Sequence, residues 1–259
     1  MKTFVQCVKY KELLFLLVSR DIKLKYRRSI LGYLWSIINP LMIMIIMTIV
    51  FSKMFRFNIE NFPVYLLCGS LLFGFMQNSS VRALNSIIDN ASLIKKIYVP
   101  KYIFTVSAVT SELINLLFAF FALLVVMFIT GVPFTLYFLI LIIPLIEIYV
   151  FCLGLGLFLA QAAVFFRDIS YIWSVLCTAW MYLTPIFYPI ELLPDSLRWI
   201  IIKFNPLYYF ITAFRGSVLR DFDGLINENI LYGAVAAIVF LLLGSWIYAL
   251  NRNKFILHI

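Results

Sequence analysis

Four stretches of this chain, Ser29–Ser52, Asn61–Val81, Ile169–Ile190 and Asn229–Asn251, contain no Asp, Glu, Lys or Arg. Each is about as long as the ~20 apolar residues a helix needs to cross a hydrocarbon core ~30 Å thick. A fifth stretch, Tyr102–Phe166, is too long for one crossing, carries only Glu112 and Glu147, and is broken by the turn signal Thr-Gly-Val-Pro at Thr130–Pro133. Backbone N–H and C=O groups in lipid must pair within their own segment, so runs of this kind fold as helices. The pattern predicts an all-α polytopic membrane protein with six transmembrane helices. With 64% of residues hydrophobic and 13% charged, no segment is left for a separate soluble core. Residues 1–259 therefore read as one transmembrane domain: an interface helix over 1–28, a six-span bundle over 29–251 and a tail over 252–259.

The formal charge of +9 does not point to nucleic acid, because the basic residues sit in short connections between apolar runs. Most lie in the N-terminal segment, the Arg82–Lys101 region, Arg167 and the tail. The other side keeps Lys53, Arg56, Arg198, Lys203, Arg215 and Arg220, so the positive-inside rule puts both termini in the cytoplasm. At 100° per residue Glu12, Ser19, Arg20, Lys23 and Arg27 share one arc of the N-terminal segment, and Leu13, Leu14, Leu17, Val18, Ile22 and Leu24 cover the rest. This predicts an amphipathic collar at headgroup depth, serving either as a topology anchor or as a grip on an anionic substrate. The first apolar run, Leu13–Val18, is too short and too soon followed by charge to be a cleavable signal.

The connection Glu191–Glu228 is the longest, and Pro185, Pro189, Pro194 and Pro206 lie among aromatics before and within it. Helices start and stop at such prolines, so short re-entrant helices are expected between the fifth and sixth spans. They form either a gate or a packed cap.

Several chemistries are excluded. Gly69 and Gly74 have phosphate-loop spacing but are followed by Phe75 and Met76 in place of Lys and Ser/Thr. The one histidine, His258, is next to last, and the four cysteines show no CxxC spacing. Neither a metal site nor a Ser/His dyad is expected. Glu112 and Glu147 are intramembrane carboxylates and so functional candidates; Glu112 also reads as a bonding partner for another helix, and Glu147 has no partner in its own window. Tyr33, Trp35, Tyr171, Trp173, Trp180 and Tyr182 are candidates to line a passage, since aromatic faces with a polar tip suit sugar rings; the plain alternative is an interface belt. Asp89–Lys101 carries Leu93, Ile94, Ile97 and Val99 among its charges, as an amphipathic turn docking a soluble partner would, or as an interfacial loop with snorkelling lysines. Phe165–Ser170 is the other short cytoplasmic connection.

In order along the chain, the basic segment running into LGYLWSIINP (Leu31–Pro40), LIKKIYVPK (Leu93–Lys101), FFRDI (Phe165–Ile169), TPIFYP (Thr184–Pro189) and NPLYYFITAFR (Asn205–Arg215) resemble the membrane permeases of ABC-type polysaccharide exporters, which move O-antigen, capsule or teichoic acid chains. The resemblance implies a homodimer in the bacterial inner membrane, paired with a separate ATPase that binds ATP and Mg while this chain binds no cofactor. The substrate would be a lipid-linked polysaccharide carrying pyrophosphate. It further implies ATPase coupling through Leu93, Ile94, Lys95, Lys96, Ile97, Arg167 and Asp168. Pyrophosphate would be captured at Arg27 and Arg28, and an outer gate built from Pro185, Phe187, Tyr188, Pro189, Asn205 and Pro206. The aromatic set above would line the channel. The other readings are a permease for a small molecule or drug, a secondary transporter, for which no internal repeat is found, and an intramembrane enzyme, for which only isolated acids are present.

Overall fold

A computed structural model describes residues 10–27, 29–51, 59, 61–96, 99–219 and 225–251, and they are helical almost throughout. In chain order the helices are α1 (Lys11–Tyr26), α2 (Trp35–Ile49, opened by a 3-10 turn at Gly32–Leu34), α3 (Phe62–Asp89), α4 (Ala91–Lys96), α5 (Tyr102–Thr130), α6 (Ile142–Phe165), α7 (Ile169–Leu183), α8 (Asp195–Phe204), α9 (Pro206–Leu219) and α10 (Leu225–Asn251). Among the described residues five are long and apolar enough to cross a bilayer: α2 with its opening turn, α3, α5, α6 and α10. The expected fifth span is the exception. α7 has 15 residues, about 22 Å at 1.5 Å per residue, and ends at Leu183 where the sequence window ran to Ile190. Pro185 forces extended backbone on Thr184, which caps α7 at ψ 133°.

Other boundaries have similar local causes. α5 stops at Gly131, whose φ of 73° is the left-handed conformation glycine adopts without strain, and the Val132 N–H returns to the Met127 carbonyl. α3 begins after Asn61, at φ 51°, with a proline in its first turn. It runs on through Arg82 to Asp89, so the charge that closed the apolar window does not stop the helix. The described part of the collar is the helix Lys11–Tyr26; residues 1–9 and Arg28 lie outside the described residues. Its apolar residues divide between two faces. Leu17 packs on Ile103 and Phe104 at the start of α5, whereas Phe15, Leu16 and Leu24 stay exposed.

α3 is the central helix, buried along most of its length among α2, α5, α6 and α9. α6 and α10 run side by side in the same direction: Glu147 faces Gly233, Gly154 faces Phe240, and Val164 shares an apolar cluster with Tyr248. The two backbones nearly touch. A side chain at Gly154 would overlap the Phe240 carbonyl, and one at Gly244 would overlap the carbonyl of Gly154. α2 and α7 lie against this core without being enclosed by it. α2 buries only Met44, and α7 only Trp173 and Cys177.

Candidate functional site

The TPIFYP and NPLYYFITAFR segments fold onto one another at the end of the bundle opposite the collar. Asn205 precedes α9, and its Oδ1 accepts bonds from the Leu207 N–H at 3.1 Å and Trp180 Nε1 at 2.9 Å, while its Nδ2 donates to Thr184 Oγ1 at 2.9 Å. The residue that caps α9 thus also ties it to the end of α7. Arg215, further along α9, is 8% exposed. Its Nη1 donates to the Pro185 carbonyl at 2.7 Å, Nη2 to Ile186 at 2.9 Å and Nε to Tyr65 at 3.1 Å, and the guanidinium lies 3.5 Å from the Tyr65 ring centre. Among the described residues Arg215 makes no ion pair. Its charge is solvated by carbonyl dipoles and a π face instead. Gly69 makes the room, because a Cβ there would lie 2.6 Å from Nη2.

The remaining expected gate residues join this cluster. The Tyr65 hydroxyl donates to the Tyr188 carbonyl at 3.0 Å, the Tyr188 hydroxyl donates to the Tyr182 carbonyl at 2.6 Å, and Phe187 stacks on Phe51 with ring centres 5.5 Å apart. Pro189 and Pro206 bound the two short connections. The sequence missed Arg215, Tyr65 and Thr184 as members; Arg215 could have been flagged as the one cation inside the aromatic run Pro206–Leu219.

At the collar end, Glu112 on α5 is 3% exposed and accepts from Arg82 Nη1 on α3 at 2.9 Å and from Lys25 Nζ on α1 at 3.4 Å. Arg82 also reaches Asp21 at 3.2 Å, and Arg20 bonds Asp21 at 2.9 Å and Asn90 at 3.1 Å. The Tyr26 hydroxyl bonds Ser36 and donates to Asn115 Oδ1 at 3.0 Å. Glu112 is therefore the partner of two cations on other helices, holding the collar to α3 and α5. Arg27 stands exposed beside this network.

In the Asp89–Lys101 connection, Leu93, Ile94 and Val99 pack inward against Leu17, Ile103 and Phe104. Their apolar character has a use inside this chain, as partly buried packing under the collar. Lys95 and Lys96 are exposed there, as are Arg167 and Asp168 in the Phe165–Ser170 connection; Ile97 lies outside the described residues.

The aromatic set divides by direction. Trp173 and Trp180 turn inward, donating to Ser80 Oγ and Asn205 Oδ1, each at 2.9 Å. Tyr33, Trp35, Tyr171 and Tyr182 are exposed on this chain. Beside α2, α3 shows an open face that sequence reasoning also missed: Ser70, Gly74, Gln77, Asn78, Val81 and Asn85 recur at helical spacing, and none is buried. The signal was present as Gln and Asn inside the second span.

A family model described as ABC-2 type transporter matches residues 12–219. The chain belongs to the ABC-2 type transporter family. The match reaches from the collar to the end of α9, so it takes in the Glu112 network, the Lys95 and Arg167 connections and the Arg215 cluster. Among ABC-2 relatives, the chain is 31% identical to the O-antigen export system permease protein RfbA of Klebsiella pneumoniae, over 85% of each chain. It is 29% identical to the protein of the same name from Myxococcus xanthus, over 95% of each. To the capsule polysaccharide export inner-membrane protein CtrC of Neisseria meningitidis it is 26% identical, over 92% of this chain and 91% of that one.

Proposed function

We propose that this ABC-2 protein is the permease of an ATP-driven exporter that carries lipid-linked polysaccharide across the bacterial cytoplasmic membrane, acting as a homodimer with a separate ATP-binding subunit. The observation that carries the reading is similarity along nearly the full chain to proteins named as polysaccharide export permeases. The open polar face of α3 supports it, because Gln and Asn side chains at membrane depth are costly against lipid and suit a hydrated, hydroxyl-rich cargo.

ATP and Mg chemistry belongs to the partner; this chain receives the movement. The collar end is cytoplasmic by its Lys and Arg content. There the exposed Lys95, Lys96, Arg167 and Asp168 meet the ATP-binding subunit, and Arg27 with Arg28 holds the diphosphate of the carrier lipid through guanidinium forks. Cargo passes along the α3 face beside Tyr33, Trp35, Tyr171 and Tyr182, and the Arg215 cluster gates its exit. Deleting the gene in its own organism should abolish the surface glycan, and the chain should co-purify with one ATPase whose phosphate-loop lysine is required for complementation. Retained surface glycan in the deletion strain would refute the reading.

A further inference from the structure

A cavity of about 400 Å³ lies beneath the collar between α2, α3 and α5, and neither the gate nor the coupling connections use it. Ser36 and Asn39 line it from α2, Ser70 and Asn78 from α3, and Asn115 from α5. Gly74 stands between Ser70 and Asn78 on the same stripe, and a Cβ added there would meet no atom within 4 Å, so the wall is open at that point. The side chains of Asn39 and Asn78 make no hydrogen bond among the described residues. Asn115 is 8% exposed, and its buried Nδ2 has no acceptor, although its Oδ1 is taken by Tyr26. Amides at this depth need partners: an unpaired one costs about 1–3 kcal/mol.

Charge narrows the choice of ligand. Lys25 and Glu112 both line the cavity and pair with each other, so the amide lining faces no net formal charge. Asn and Ser offer donors and acceptors in equal measure, which an anion cannot satisfy and a polyol can. Trp35 forms part of the wall and supplies an apolar ring for the C–H face of a sugar. The cavity shares Lys25, Asn78 and Glu112 as lining with a wider cleft of about 700 Å³ between α1 and α3, which adds Gln77 and Arg82 on the collar side.

We propose that the Ser36, Asn39, Asn78 and Asn115 cavity is a saccharide-binding subsite that holds one hydroxyl-rich ring of the cargo by amide hydrogen bonds. This rests on the polysaccharide reading above. The test places Gly74→Cys in a Cys7→Ser background, Cys68, Cys152 and Cys177 being buried, and follows its alkylation by a small polar thiol reagent in nanodiscs. The probes are the polyprenyl-linked glycan fraction of the source cells, the same fraction after mild acid has removed the sugar, and phosphatidylglycerol. The whole fraction should protect the cysteine at lower concentration than its sugar-free product. Asn78→Leu should weaken that protection about tenfold without disturbing the fold, since the Asn78 side chain makes no hydrogen bond among the described residues. Equal protection by the sugar-free lipid or by phosphatidylglycerol makes this a headgroup site and overturns the proposal; so does unchanged protection in Asn78→Leu. The gene deletion decides the exporter reading separately, so either can fail while the other stands.

Discussion

Arg215 sits in a buried site without an acid, and three carbonyls from two separate segments converge on it. A guanidinium can serve all three because its five N–H groups form a rigid fork, whereas an ammonium is a compact charge on a flexible stem. Arg215→Lys should therefore keep the charge and lose the tie between α9 and Pro185–Ile186. The expected result is normal insertion with a leaky or uncoupled exporter, measured as loss of surface glycan at equal membrane abundance. Unchanged export would show that the three bonds do not hold the gate. Gly233 makes a complementary case. A Cβ there would lie 2.5 Å from Glu147 Oε2 and 3.2 Å from the Phe210 ring. Overpacking of this kind costs about 1–3 kcal/mol, so Gly233→Ala should lower the thermal unfolding midpoint, and adding Glu147→Ala should recover most of the loss. Failure of the double variant to recover would place the strain on Phe210.

Among the elements, α1 is held by Leu17 packing on Ile103 and Phe104 and by two ion pairs, Lys25 with Glu112 and Asp21 with Arg82. Arg82 is about a third exposed and Glu112 keeps Lys25, so removing Arg82 costs less than the roughly 3 kcal/mol of breaking a fully buried pair. Arg82→Ala should loosen the collar and speed hydrogen exchange across Lys11–Tyr26 while leaving α6 and α10 protected. Equal exchange in variant and parent would show that Leu17 packing alone suffices. The long helices α3, α5, α6 and α10 were legible in the sequence because each has apolar length enough for a crossing, with the Thr130–Pro133 turn dividing α5 from α6. The short helices α8 and α9 were legible through their prolines. Three things were not. The end of α7 depended on the backbone of Thr184 ahead of Pro185, which an apolar count does not weigh. Leu93 and Ile94 read as a docking surface because their neighbours Leu17, Ile103 and Phe104 come from distant parts of the chain. Trp173 and Trp180 read like Tyr171 and Tyr182, since which side of α7 faces the bundle depends on Ser80 and Asn205, which come from other helices.

For the molecule as a whole, α2 and α7 lie against α3 and leave most of their own surface open. Cysteines replacing Tyr171 or Tyr182 should react with small polar reagents in transporting complexes, whereas one replacing Trp173 should stay protected. Uniform protection at the tyrosines would assign them to lipid. The shortness of α7 also bears on how the protein is made. A helix of about 22 Å cannot by itself stop in a bilayer core of about 30 Å, so a nascent chain ending near Leu192 should leave α7 unanchored. It settles only once Asn205 and Arg215 have been synthesised to bind the stretch behind it. The last third of the polypeptide would then enter the membrane as a single insertion unit, with α10 as its anchor.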